Sequence, residues 1–390
     1  MILLVSFALA LLAKQSVEAT TSPQKPAGAF DTKGDPAQSL HSVGVRGTID
    51  AGGYAASTTV KTQTEFFKQL VDLQVAVLRP AWAPQVPCAG AHSLRRGAIS
   101  LLVGGNSVAA ASTLEALLRT NDEPATRQLL GLAYEGTGQL EAAAEQFRTA
   151  AAAQSDAAGI FAYGSSLLLA GEVNQAEVVF HRSSGNDDNP LLRLGLGATL
   201  FQRGRVPEAL GLFADAATTR PSETAAFGFI TIGVRTADRT ALMHLIDRLA
   251  PIVRRSPEDG SGHYALACAL IAASQNTPGI PESAEIEDHL RKAVELNPRD
   301  TDAHFALAAT YATQRRVSSA INEYRAGLEY APETIEAHYR LSQLYERSGQ
   351  PQLASVELQL YQQLRTKQKS DLESGRIPIR LSEVPAKSCQ

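Results

Sequence analysis

The 390-residue sequence predicts an all-α fold, an α-solenoid of stacked helix–turn–helix repeats. Three observations predict it. Residues Thr301 to Pro332 and Ile335 to Tyr361 superimpose at a shift of roughly 34 residues, the spacing of a helix–turn–helix unit. His304 then meets His338, Leu307 meets Leu341, Tyr311 meets Tyr345, Ala320 meets Ala354 and Tyr324 meets Leu358. The composition is rich in Ala and Leu with only 6% aromatics, which suits closely packed helices. Prolines such as Pro332 close the units, because proline lacks an N–H and crowds the preceding turn. Two short helices cannot bury their apolar faces alone, and stacking the units buries them.

This recurrence resembles the tetratricopeptide repeat family. That family sets a bulky residue at about the fourth position of each unit, Leu at the seventh, Gly or Ala at the eighth and an aromatic at the eleventh. A small residue follows at about the twentieth, an aromatic at the twenty-fourth, Ala at the twenty-seventh and Pro at the thirty-second. Leu307, Ala308, Tyr311, Ala320, Tyr324 and Pro332 match, and Gly327 stands for the Ala. The resemblance implies a right-handed solenoid and covers roughly Ala91 to Thr366, about eight units.

Taken in order, the chain opens with an apolar run of about a dozen residues, too short to span a bilayer. Val17-Glu18-Ala19 offers small residues where a signal peptidase reads, although a basic leader is missing. Residues 1–19 are therefore expected to be a signal peptide, leaving an exported, periplasmic or secreted chain without a transmembrane anchor. A buried N-terminal helix is the alternative. Residues 20–58, rich in Ser, Thr, Pro and Gly, read as a disordered leader.

Residues 59–90 read as an amphipathic helix and a Pro-rich linker. Phe66, Phe67, Leu70, Val71, Leu73 and Val77 form the helical stripe, expected to pack on the first repeat. Pro80, Pro84 and Pro87 should break the chain after it.

The solenoid is expected over 91–368. A weak first unit runs from Ala91 to Glu123. Strong units follow at Pro124–Asp156 (Gly131, Tyr134, Gly138, Phe147), Ala157–Asn189 (Gly164, Gly171, Phe180) and Pro190–Glu223 (Gly197, Gly204, Phe213). Thr224–Asp259 is degenerate and its register cannot be fixed. The unit at Gly260–Asp300 carries an insertion with Pro278, Gly279 and Pro281, which must be a loop. The tail, 369–390, should be poorly ordered beyond an extension of the last helix.

A net charge of −4 gives no electrostatic footprint for nucleic acid. His263, His304 and His338 recur one unit apart, too far to converge on a metal. They read as packing residues, and His244 and His289 as isolated. Gly195-Leu196-Gly197 lies inside a helix and reads as close helix contact rather than a nucleotide loop. Asn186-Asp187-Asp188-Asn189 lacks the pattern of a calcium loop and reads as a turn. Cys88 and Cys389 could pair in an oxidising compartment, and Cys268 reads as a small apolar residue. No catalytic constellation and no cofactor site stands out.

The resemblance also implies a concave groove lined by the first helix of each unit. Carried over by position, its candidate peptide-binding residues are Phe161, Leu168, Leu194, Phe201, Tyr264, Phe305 and Tyr339. Binding and core packing both fit these side chains, and the chain's own N-terminal helix could fill the groove. The Lys and Asn of the family's two-carboxylate clamp are absent, since Gln128 and Leu132, or Phe161 and Ser165, stand there. The function expected is a non-catalytic protein–protein interaction scaffold or adaptor holding an apolar peptide or helix. The alternatives are a self-assembling envelope component, or an accessory subunit of an envelope enzyme.

Overall fold

The computed structural model describes residues 51–82, 91–184, 189–219, 223–274 and 283–373. These form seventeen helices and no strand. The first, α1 (Ala51–Trp82), is the longest. Eight pairs follow. They are α2 (Ala91–Val103) with α3 (Ser107–Leu118), α4 (Pro124–Thr137) with α5 (Leu140–Ala153), and α6 (Ala157–Leu169) with α7 (Val173–Ser184). Next come α8 (Pro190–Gln202) with α9 (Val206–Ala216), and α10 (Glu223–Gly233) with α11 (Arg239–Arg255). The last are α12 (Gly260–Ser274) with α13 (Ser283–Leu296), α14 (Thr301–Thr313) with α15 (Val317–Tyr330), and α16 (Ile335–Arg347) with α17 (Pro351–Glu373). Stacked in order, the pairs make a right-handed α-solenoid. No described helix is long and apolar enough to cross a membrane.

Two compact units are distinguished, Met1–Glu65 and Phe66–Gln390. The described part of the first is the helical stretch 51–65, and the solenoid belongs to the second. The expected signal peptide, Asn186 to Asp188, the insertion around Pro278, Cys88, Cys389 and the tail from 374 lie outside the described residues.

Five of the hairpin turns share one physical cause. Gly105, Gly138, Gly171, Gly204 and Gly349 occupy the same place in their units with φ between 74° and 80°. A side chain there would strain the left-handed backbone that ends the first helix. In the α14–α15 pair this place is held by Arg315, at φ 60°. Within a unit, the eighth-position glycine faces the aromatic of the second helix. A Cβ on Gly131 would lie 2.7 Å from the Phe147 ring, and one on Gly197 would lie 2.6 Å from Phe213. The aromatic fills the space that glycine leaves, and Phe147, Phe180 and Phe213 are fully buried.

The first helix departs from expectation at both ends. It begins at Ala51, inside the stretch 20–58 read as leader, and continues through Pro80 to Trp82. Pro80 falls in the last turn, where its missing N–H removes a single hydrogen bond. The degenerate stretch 224–259 resolves into α10 and a 17-residue α11, started by the Asp238 side chain accepting from the Ala241 N–H at 2.8 Å.

Candidate functional site

The groove positions divide the solenoid into two halves. On α4, α6 and α8 they are covered: Gln128, Leu132, Phe161, Ser165, Leu168, Leu194, Ala198 and Phe201 are all buried. On α12, α14 and α16, Tyr264, Cys268, Phe305 and Tyr339 are half-buried, while Ala309, Thr313 and Glu346 are exposed.

Residues 66–82 of α1 lie along the covered half, meeting α2, α4, α8 and α10 rather than the first repeat alone. Near its C-terminal end, Val75 and Leu78 join Ala98 and Leu102 of α2 and Leu129 and Leu132 of α4 in one apolar cluster. One turn earlier the Gln74 side-chain amide donates to both Glu135 carboxylate oxygens, at 3.1 and 3.2 Å. At the other end Phe66 stacks on Phe201 of α8, with centroids 4.8 Å apart and planes at 20°. It also meets Phe229 of α10 at 5.6 Å. A Cβ on Gly228 would lie 2.4 Å from Gln69 Nε2, so the missing side chain admits α1. Lys68 and Asp72 point away and pair at 2.6 Å.

Burial pushes the Glu135 carboxyl up to about 7, against the opposing hydrogen bond from Gln74. The Cys268 thiol is likewise pushed up to about 12 by burial, which suits an unreactive packing residue.

The fifth-position rings also serve the core. Phe161 meets Phe180 at 6.0 Å, Phe305 stacks on Tyr324 at 6.0 Å, and Tyr339 meets Tyr361 at 5.2 Å. Phe161, Leu168, Leu194 and Phe201 are all buried, and Phe201 among them meets α1 through Phe66. Tyr264, Phe305 and Tyr339 are only half-buried. Two depressions of about 320 and 440 Å³ lie away from this groove, on the side of α9 and α11, around Glu208 and Arg248.

The recurring histidines pack as expected and also bond. His304 joins Glu323 through Nδ1 at 2.7 Å and the Pro298 carbonyl through Nε2 at 3.1 Å. His338 repeats this with Glu357 and Pro332, at 2.6 and 2.8 Å. His289, read from sequence as isolated, is the corresponding partner of His263, Nδ1 to Nδ1 at 2.8 Å. Among the described residues no group of three His, Cys, Asp or Glu could hold a metal.

Tetratricopeptide repeat family models match residues 161–224 and 310–365, and a second such model matches 125–156. Over these stretches the chain carries tetratricopeptide repeats. Comparison with curated proteins gives no match. Solved structures similar to this chain include YrrB, described as a TPR protein with an unusual peptide-binding site. It is 19% identical over 51% of this chain and 98% of that one, with a TM-score of 0.35. MamA from Desulfovibrio magneticus RS-1 is 16% identical, over 47% of this chain and 98% of its own, at 0.37. The C-terminal part of a TPR repeat-containing protein from Cytophaga hutchinsonii is 16% identical, over 62% and 97%, at 0.39.

Proposed function

We propose that this chain is a non-catalytic scaffold or adaptor that holds a partner's apolar peptide or helix in the open half of its groove. One observation carries the reading. Positions that are shut on α4, α6 and α8 stay half open on α12, α14 and α16, at Tyr264, Phe305 and Tyr339. Each ring rests one side on the core and offers the rest to a ligand, so binding would proceed by burial of apolar area. Crosslinking in the native cell followed by mass spectrometry would name the partner. Phe305→Ser and Tyr339→Ser should then abolish its capture while helical circular dichroism holds. Lost helicity would assign both rings to the core instead. The apolar start of the sequence supports export, testable by fractionating cells for the mature chain.

Self-assembly is a second reading, favoured by Leu353, Val356 and Leu360. These lie exposed at helical spacing on α17, the face that a further unit would cover. Light scattering decides it: a monomer at all concentrations removes this reading.

A further inference from the structure

We infer that the covered half of the groove is itself a binding surface for an amphipathic helix, and that residues 66–82 of α1 are its built-in, displaceable occupant. The inference rests on reading the concave face as the binding face, and it names the ligand chemistry. The seated segment shows what fits: two adjacent aromatics, a leucine one turn on, and an amide a further turn on. Phe66 and Phe67 enter the ring cluster with Phe201 and Phe229, Leu70 is fully buried, and Gln74 meets Glu135. A partner helix with this spacing would meet the same walls.

Two features mark α1 as an occupant rather than part of the stack. Successive repeat helices approach one another closely along their backbones, whereas residues 66–82 reach into the groove through the side chains of Phe66, Gln69 and Gln74. The covered face is also polar where a permanent core would be apolar. Gln74 Oε1, Gln128 Oε1 and Ser165 Oγ are buried without a hydrogen-bond partner. Such groups regain partners when the surface opens, which offsets part of the apolar area lost.

The test uses the full chain and a fluorescein-labelled peptide of residues 62–82, read by anisotropy. Wild type, its groove filled, should not take up the peptide. Phe66→Ser/Leu70→Ser should release α1 and bind it. Gln74→Glu should do the same above pH 7 without touching the apolar face, by setting a second carboxylate against Glu135. Phe201→Ser added to either chain should weaken uptake roughly tenfold or more. Uptake by wild type equal to that of the variants would overturn the inference, as would uptake indifferent to Phe201. Helical variants that refuse the peptide, or variants that unfold, would make α1 a fixed cap. A wild-type dimer in light scattering would assign the occupant to a second copy. Tyr339→Ser should leave peptide uptake unchanged, so failure of the open-half reading is seen separately.

Discussion

Nδ1 of His263 faces Nδ1 of His289 across 2.8 Å, at the place where the next two units set a histidine against a glutamate. Nε2 of His263 meets the Pro257 carbonyl at 3.1 Å. One ring must accept where the other donates, so the geometry suits a neutral pair. Burial pulls both rings below the ordinary histidine range, with Asp259, Asp288 and Lys292 the nearby charges. A lowered folded value means that the unfolded chain takes up protons first as pH falls below about 6.5. This pair's contribution is present above that pH and lost beneath it. Melting temperature should therefore fall between pH 7.5 and pH 5.5. In His289→Glu the fall should shrink, because a carboxylate stabilises the charged ring that two histidines repel.

Glu135 gives the groove a pH dependence of opposite sign. Its carboxyl stands at about 7 beneath α1 against an ordinary 4.5, and the groups facing it, Gln74 of α1 and Ser166 of α6, are neutral. A raised bound-state value makes helix docking strongest in acid and weaker as pH rises through 7. Peptide 62–82 should bind the Phe66→Ser/Leu70→Ser chain about tenfold more weakly at pH 8 than at pH 6. Glu135→Gln should flatten that difference in the same anisotropy titration.

The repeat was legible because glycine and phenylalanine answer each other inside one unit. Gly131 with Phe147, Gly164 with Phe180 and Gly197 with Phe213 recur at one fixed separation. The unit at 224–259 was not legible for a physical reason. Phe227, Phe229 and Ile230 of α10 are all buried, and Phe229 is met by Phe66, so apolar residues surround the helix and blur its period. His289 was missed because the insertion after Ser274 displaces it in sequence from the position that Glu323 and Glu357 hold. The sequence left the N-terminal helix open as a filler of the groove, but the contacts it makes there could not be read. Gln74 and Glu135 are 61 residues apart, and no local pattern announces that contact.

Arg315 occupies the left-handed turn position that glycine holds in five other pairs. A side chain there strains the backbone, whereas glycine adopts that conformation freely at some cost in unfolded-state entropy. The difference favours glycine. Arg315→Gly should raise stability by about 0.5–1 kcal/mol, measured by urea denaturation followed by circular dichroism.

Phe180 is gripped by glycines of two successive units. A Cβ on Gly164, in the same unit, would stand 2.3 Å from the ring, and one on Gly195, in the next, 2.2 Å. The ring is fully buried and Phe161 blocks a third side at 6.0 Å, so it has little room to retreat. Gly197, two residues beyond Gly195, makes the same kind of space for Phe213. The Gly195-Leu196-Gly197 run is thus a packing device that joins one unit to the next. Gly164→Ala and Gly195→Ala should each cost about 1–3 kcal/mol in urea denaturation. Adding Phe180→Leu to either should recover part of the loss, because the smaller side chain yields the volume that the new methyl needs. If either single substitution left stability unchanged, the ring would have space that this packing denies it.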